Sequence, residues 1–216
     1  MGKGGKPGNF VLVADIVASR KIVERSAVQE KLRACLRHLN SKPGGGLVSP
    51  YTITLGDEFQ AVFTTPERLF RDAITVLIAL YPIAVRFSCA IGEITTSINT
   101  KQAIGMDGPA FHDARTSVER LKKTKSLFII SSREGGGLLL INQCLALVSH
   151  TIVRWPRSRL EILRGLFENR TVKQIARDLK VTDKAVYKSI DAGAIRTIAP
   201  LLDELTDRLR QIREQR

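Results

Sequence analysis

The chain has 216 residues, of which 44% are hydrophobic, enough to bury the core of one large domain or of a medium and a small domain. Its formal net charge of +13 indicates a polyanionic partner such as nucleic acid. No apolar stretch reaches membrane-spanning length without polar residues inside it, which excludes a typical transmembrane helix.

The cysteines and the N-terminus bear on the cellular compartment. Cys35, Cys89 and Cys144 are scattered among apolar neighbours, so we expect reduced thiols rather than a disulfide framework or a metal site. Residues 1–9 are basic but lack the apolar stretch of a secretion signal, and we expect them to form a disordered tail. We therefore expect a cytoplasmic protein that makes no membrane contact.

Apolar runs and helical patterns alternate along the N-terminal part of the chain. A continuous apolar run that ends at Asp15 predicts a strand buried on both faces. The Gly56–Asp57 pair between two further runs predicts a hairpin turn. In chain order we predict a strand at 10–15, a helix at 24–40, a hairpin at 47–63, a helix at 66–80, strand residues at 83–98, a helix from 108 to 122 and a strand at 126–131.

This order of elements is that of the split βαβ arrangement. It predicts an α+β fold of ferredoxin-like or palm type, in which an antiparallel sheet carries its helices on one face. The first strand and the hairpin turn lie side by side in such a sheet. Asp15 and Asp57 should therefore converge at one edge of the sheet.

A break in composition at residues 135–137, which are all glycine, divides the chain. A helix at 138–155 follows, and the remaining residues are predicted to be all-helical. We therefore predict four parts. They are a tail at 1–9, a palm domain at 10–134, a linker and connecting helix at 135–156, and a helical domain with a C-terminal helix at 157–216.

Two aspartates at one sheet edge predict a metal site, although each has a simpler explanation. Asp15 could cap the turn after its strand, and Asp57 could be an ordinary turn residue. Placed together, however, two carboxylates repel unless a divalent cation lies between them. Mg²⁺ or Mn²⁺ is the expected ion.

Three segments of this domain, residues 13–17, 54–59 and 90–93, resemble motifs of the class III nucleotidyl cyclases, and residues 56–59 also resemble the related diguanylate cyclases. The combination of residues 15–20, 56–61 and 108–115 most resembles the bacterial SatD family, whose members pair a cyclase-like domain with a C-terminal helix-turn-helix.

The resemblance implies roles for individual residues. Asp15 and Asp57 match the metal-binding carboxylates, and the backbone carbonyl of Ile16 is a natural third ligand. Arg115 matches the arginine that stabilises the leaving phosphates. Two positions depart from the pattern, because Ile53 stands where a base-selecting lysine is expected and Phe111 where an asparagine is expected. These departures favour nucleotide binding over catalysis.

A short polar segment after the first aspartate suits a triphosphate. Ser19, Arg20 and Lys21 offer a hydroxyl, positive charge and free backbone N–H groups, and Gly56 lies in the facing turn. The alternative is a polar loop without a ligand.

The C-terminal part contains a pattern typical of a helix-turn-helix. Helices are predicted at 157–168, 172–179 and 183–190. Thr171 and Thr182 are placed to cap the second and third helices, and Val181 is expected to fill the turn between them. The third helix would then enter the major groove of double-stranded DNA.

The predicted DNA contacts lie on these helices and just before them. Lys184, Tyr187 and Lys188 are expected to point outward from the recognition helix towards phosphates and bases. The remaining predicted contacts are Arg170, Lys173, Arg177 and Thr182. The alternative is a small helical bundle used for protein contacts.

Apolar residues recur at heptad spacing between Ile195 and Ile212, with Pro200 between them. They predict a dimer seam, and we expect a homodimer. An amphipathic helix packed on its own domain would give the same pattern.

Three functions follow from these observations. The first is a DNA-binding transcriptional regulator whose degenerate cyclase-like domain senses a nucleotide and a metal. The second is an active Mg²⁺- or Mn²⁺-dependent nucleotidyl cyclase or nucleotidyltransferase. The third is a DNA-binding protein whose cyclase-like domain is a dimerisation scaffold.

Overall fold

The structure, a computed structural model, describes residues 8–19, 22–133 and 137–215. Within these ranges the chain forms five strands and eight helices, which confirms the α+β class, and none of these helices is long and apolar enough to cross a membrane. The strands are β1 (Asn9–Ile16), β2 (Leu47–Leu55), β3 (Glu58–Phe63), β4 (Val85–Gly92) and β5 (Phe128–Ser132). The helices are α1 (Arg25–Ser41), α2 (Leu69–Leu80), α3 (Pro109–Lys122), α4 (Leu138–Ile152), α5 (Arg157–Phe167), α6 (Val172–Leu179), α7 (Asp183–Ala192) and α8 (Ile195–Glu214).

Some of the predicted segments fall outside these ranges. Residues 1–7 of the predicted tail and the first two glycines of the predicted break, at 135 and 136, lie outside the described residues. Asn9, which was assigned to the tail, is the first residue of β1.

The five strands form one mixed sheet in the order β2-β3-β1-β4-β5. β1 to β4 pair antiparallel as predicted, whereas β5 lies parallel to β4. The sheet is therefore not fully antiparallel, because α3 returns the chain across the sheet and lets β5 run in the direction of β4.

Helices cover both faces of the sheet, and this corrects the prediction of helices on one face. α1 and α2 pack on one face in an apolar cluster with Phe10, Leu12 and Phe59. α3 packs on the opposite face in a second cluster with Val11 and Val13. β1 is consequently buried on both sides, as its continuous apolar run indicates.

The loop between β4 and α3 determines where on the sheet α3 begins and where it ends. β4 ends at Gly92, so the predicted strand at 83–98 is too long. The loop enters α3 through Gly108, whose φ of +150° and whose position suit only glycine, since a Cβ there would lie 2.8 Å from the carbonyl oxygen of Glu93. The last turn of α3 lies at the other end of the sheet, where Lys122 interacts with Asp15.

The C-terminal helices share a buried apolar cluster with the sheet. α4 is held against the edge strand β5, because the Asn142 side chain accepts a hydrogen bond from the Ile130 N–H at 2.8 Å and donates one to its carbonyl oxygen at 2.9 Å. α5 and α8 lie on α2, where Arg71 donates to the carbonyl oxygen of Phe167 at 2.8 Å and pairs with Asp203 at 3.3 Å. The predicted domain boundaries stay a prediction. The apolar cluster contains residues from both sides of these boundaries.

α8 uses its heptad residues inside its own chain. The helix continues through Pro200 to Glu214. The predicted seam residues that are at most 5% exposed are Ile195, Ile198, Leu202, Leu205 and Leu209. They belong to the cluster described above, so the seam prediction is corrected in favour of the alternative, a helix packed on its own chain. A homodimer stays a prediction that must use another surface.

Candidate functional site

Asp15 lies at the end of the central strand, between two partner strands. In the sheet register it stands opposite Glu58 of β3 and opposite Arg86 of β4. Side chains alternate along a strand, and Val11 and Val13 belong to the cluster under α3, so Asp15 faces α3 as well. Only 8% of Asp15 is exposed.

Asp57 occupies the turn between β2 and β3, after Gly56 with its φ of +45°. The backbone N–H of Ile16 donates a hydrogen bond to the carbonyl oxygen of Asp57 at 3.0 Å. This bond ties the end of β1 to the turn, so the structure brings both predicted metal aspartates to the same rim of the sheet. Gln29 of α1 supports the turn by donating to the carbonyl oxygen of Gly56 at 3.0 Å.

An arginine of the neighbouring strand already neutralises Asp15. Nη1 of Arg86 lies 3.1 Å from Oδ2 of Asp15. Burial raises the pKa of Asp15 above its ordinary value, and the nearby Asp57 carboxylate adds to the rise, whereas the charges of Lys122 and Arg86 oppose it. The sequence analysis did not predict this pair. The sequence feature that could have indicated the pair is Arg86, a charged residue inside the apolar run of β4.

Ser19 contacts the other aspartate. Its hydroxyl donates a hydrogen bond to Oδ2 of Asp57, and Ser19 is buried. Arg20 and Lys21, predicted with Ser19 to bind phosphate, lie outside the described residues. Ser19 thus orients a carboxylate in this structure, and its assignment to a phosphate stays a prediction.

The rim offers ligand chemistry that suits Mg²⁺ or Mn²⁺. Among the described residues, none donates a hydrogen bond to Oδ1 of Asp15 or to Oδ1 of Asp57, so each aspartate has a hard oxygen ligand to offer. The same ranges contain no group of three or more Asp, Glu, His or Cys side chains arranged to hold a metal. An ion here would take its other ligands from backbone carbonyls such as that of Ile16, from water or from phosphate oxygens.

A cavity of about 690 Å³ opens between the β2–β3 hairpin and α3. Arg115, the predicted phosphate-stabilising residue, lines it together with Glu58 and Glu119. Lys122 follows on the next turn of α3 and donates a hydrogen bond to Glu119 at 2.7 Å. That hydrogen bond, and the charges of Asp15 and Glu58, raise the pKa of Lys122. Lys122 therefore connects the cavity electrostatically with the rim.

The two positions that depart from the cyclase motif do not line this cavity. Phe111 is 1% exposed and packs in the cluster between α3 and the sheet. Ile53 packs on the opposite face, against the cluster of α1 and α2. Gln60, which does line the cavity, was missed, although a glutamine inside an apolar strand was a usable signal.

α6 and α7 are joined by residues 180–182, and both predicted caps are confirmed. The hydroxyls of Thr171 and Thr182 each accept a hydrogen bond from the backbone N–H three residues later. Val181 was predicted to fill the turn but is 46% exposed. The turn is instead made by the backbone, with Lys180 in the left-handed region at φ +54°.

Most of the predicted DNA contacts lie on the surface of this helix pair. The exposed ones are Lys173, Arg177, Thr182, Lys184, Tyr187 and Lys188. Their lysine and arginine side chains form no ion pair within the part of the chain that the structure describes. Arg170 differs, because it is half-buried and pairs with Asp178. The ring of Tyr187 is contacted by the guanidinium of Arg196, 5.9 Å from the ring centre.

The pairing of Asp15 with Arg86 predicts how the pKa of Asp15 changes when Arg86 is replaced. Replacing Arg86→Leu removes a positive charge and a hydrogen bond that oppose the effect of burial, so the pKa of Asp15 should rise further. Because the pKa of Asp15 is higher in the folded state than in the unfolded state, folding favours the protonated carboxyl. The ionised carboxylate therefore lowers the free energy of unfolding at pH values above the folded-state pKa. This loss is absent at pH values below the unfolded-state pKa. Carboxyl NMR titration measures the pKa.

The matched control for this titration is Arg133→Leu, which removes the partner of Asp113 at 2.9 Å and should leave Asp15 unchanged. An Asp15 pKa that does not move in Arg86→Leu would contradict the assignment of Arg86 as its counter-ion.

Comparison with known proteins gives a family and, among solved structures, partial matches to nucleotidyl cyclases. No curated protein matches the chain. A bacterial light-regulated adenylyl cyclase is 16% identical with a TM-score of 0.41, covering 59% of this chain and 45% of that one. The guanylyl cyclase Cya2 is 15% identical with a TM-score of 0.39, covering 57% of this chain and 74% of that one. The profile of the SatD family matches residues 9–199, and the chain therefore belongs to the SatD family.

Proposed function

We propose that this protein is a DNA-binding transcriptional regulator whose cyclase-like domain binds a nucleotide together with Mg²⁺ or Mn²⁺. The observation that carries the proposal is the set of exposed cations on α6 and α7 that form no ion pair with the described residues. The aspartate rim supports the nucleotide part. The net charge of +13 supports a polyanionic partner.

Two short helices joined by a three-residue turn have the dimensions with which a helix-turn-helix places its second helix in the major groove. In this proposal α7 is the recognition helix. Lys184 and Lys188 lie one turn apart on it and suit phosphate or guanine, and Tyr187 beside them suits the DNA backbone or a thymine methyl group. Lys173 and Arg177 of α6 suit flanking phosphates.

At the rim, a divalent ion with bound phosphates would relieve the repulsion between neighbouring carboxylates. Asp15 and Asp57 would supply carboxylate oxygens to it, and Ile16 its carbonyl oxygen. Such an ion competes with Arg86 for Asp15. Arg115 supplies a second cation on the cavity side, where it suits phosphate.

We favour binding without turnover, because Phe111 and Ile53 replace the two polar residues of the cyclase pattern and both pack in apolar clusters. The alternative is an active nucleotidyl cyclase or nucleotidyltransferase that uses the same aspartates. One observation favours it, namely that Arg115 is exposed on the cavity wall. If no nucleotide binds, the scaffold function remains.

The contacts of β4 suggest how the two parts communicate. Arg86 belongs to β4, β5 pairs with β4, and Asn142 holds α4 to β5. α5 follows α4 directly and lies on α2. In our proposal, loss of the Asp15–Arg86 pair on nucleotide binding alters β4, and α4 carries that change to the helices that bind DNA.

The DNA part is tested by replacing both recognition-helix lysines, Lys184→Ala and Lys188→Ala. Loss of two phosphate contacts should weaken binding to a mixed-sequence duplex and reduce the slope of log affinity against log salt by about 1.8. Fluorescence anisotropy at several salt concentrations measures both. The matched control, Lys101→Ala with Lys125→Ala, removes two exposed lysines of the sheet domain and should change neither. Equal affinity and slope in the two double variants would overturn the assignment of α7.

The nucleotide part is tested by thermal denaturation with each nucleoside triphosphate and Mn²⁺. At about 100 times its Kd, a ligand of the folded state should raise the Tm by about 5–10 °C. Asp57→Asn should abolish the rise, whereas Asp191→Asn, which changes an exposed aspartate of α7, should preserve it. The same mixtures should contain no cyclic or linked product by chromatography. Product formation would establish the enzyme alternative, and absence of both product and stabilisation would leave the scaffold function.

A further inference from the structure

One face of α4 is fixed against the rest of the chain. Leu145, Val148 and Ile152 are buried in the apolar cluster that this helix shares with the sheet. The hydroxyl of Ser149 accepts a hydrogen bond from the N–H of Leu127 at 3.0 Å, just before β5. Because these contacts set the rotation of the helix about its axis, they also set which side chains its opposite face presents.

The opposite face presents apolar side chains to solvent. Leu139, Leu140 and Leu147 are each 70% or more exposed, and Val153, the residue after the helix, is 51% exposed. Ala146 lies in the same row as Leu139 and Val153, at a spacing of seven residues, and is half-buried. We name these five residues the α4 patch. Single exposed leucines are ordinary, but several on one helix face form a continuous apolar surface of the kind that binds a partner.

The α4 patch lies on a helix without charge. Among the helices that the structure describes, α4 alone contains no Lys, Arg, Asp or Glu, although 25% of the chain is charged. The exposed polar side chains within the helix are Gln143 and His150. With a net charge of +13, two copies of the chain repel each other where cationic surfaces approach. A neutral patch lets two copies meet without opposing like charges, and it offers a charged partner nothing to complement.

The order of residues along this face fits a second copy in antiparallel orientation. A two-fold contact is self-complementary, so each pair of facing residues occurs twice. Leu139 and Val153 each lie seven residues from Ala146, so a two-fold axis at Ala146 places Leu139 of each copy against Val153 of the other. The small Ala146 side chains meet at the axis and let the helices approach closely.

The polar residues of the face obey the same symmetry. Gln143 lies three residues before Ala146 and His150 lies four residues after it. Across the axis the amide of one copy therefore lies beside the imidazole of the other, where the two can form a hydrogen bond. A partner of another sequence would not require this symmetry, which favours a second copy as the occupant.

We infer that the α4 patch is a dimer interface, and that it is covered by the α4 patch of a second copy, antiparallel about a two-fold axis at Ala146. One helix from each copy buries less surface than a typical stable dimer, so we expect a Kd of about 1–100 µM. The inference goes beyond the proposed function, and one consequence rests on that function. The same axis relates the two copies of α7, so the DNA site of the dimer is an inverted repeat.

The interface is tested by sedimentation velocity of the full chain between about 1 and 300 µM, without DNA or nucleotide. The average mass should rise from one chain to two. Leu147→Glu puts a carboxylate beside the axis in each copy and should weaken dimerisation about tenfold or more. The matched control, Val23→Glu, puts the same group on an exposed valine before α1 and should leave the Kd unchanged. Both variants alter exposed side chains, and circular dichroism checks that they fold.

The antiparallel register is tested by combining Leu139→Glu with either Val153→Lys or Val153→Glu. These positions are about 21 Å apart along one helix, so they interact only across the interface. The double variant with lysine should dimerise about tenfold more tightly than the one with glutamate. Net charge alone predicts the reverse order, because added lysine increases the repulsion between two cationic copies and added glutamate reduces it.

Three results would overturn the inference. They are a protein that stays monomeric over this range, equal dimerisation of Leu147→Glu and Val23→Glu, and equal or tighter dimerisation of the double variant with glutamate. The first result would leave the α4 patch to another partner, and the second would assign the dimer to another surface.

The outcome is separable from the fate of the proposed function, since these measurements contain neither DNA nor nucleotide. Lys184→Ala with Lys188→Ala, which removes proposed DNA contacts, should dimerise like the unaltered protein. A dimer that persists without any DNA binding would refute the regulator and support the interface. DNA binding by a protein that stays monomeric would support the regulator and refute the interface.

Discussion

The charge balance around Asp15 is the constraint on which the rest of the site depends. β1 is hydrogen-bonded on both sides, so the pairing of β3 and β4 dictates what surrounds its last residues. That register sets Glu58 on one side of Asp15 and Arg86 on the other, and the hairpin turn adds Asp57. Like charges across a sheet repel. The rim therefore requires a cation, which Arg86 supplies within the chain and which a metal–nucleotide complex supplies in our proposal.

Much of the site could be predicted because it depends on short-range patterns and on strand order. The Gly56–Asp57 turn and the two threonine caps follow from local residue preferences, and the approach of Asp15 to Asp57 follows from the order of the elements. The Arg86 pair could not be predicted, since it joins residues 71 positions apart through a register that local patterns do not specify. The spacing of apolar residues shows that one side of α8 is buried, but it does not show what covers that side. The same pattern is therefore compatible with a dimer interface and with packing of α8 on its own chain.

The arrangement of α3 explains why the cavity and the rim belong together. Because α3 crosses the face opposite α1 and α2, its charged side chains lie over the polar residues that β1, β3 and β4 direct to that face. Arg115 and Glu119 line the cavity, and Lys122 extends the same side of the helix to Asp15. A ligand that spans cavity and rim would meet the guanidinium of Arg115 in the cavity and a carboxylate pair at the rim.

The most direct measurement of the central claim is a crystal structure of the protein soaked with Mn²⁺ and a nucleoside triphosphate, with anomalous scattering recorded for manganese. The account predicts an anomalous peak between the carboxylates of Asp15 and Asp57, with Arg86 displaced from Asp15. A bound triphosphate whose manganese lies elsewhere, with the Asp15–Arg86 pair intact, would contradict it.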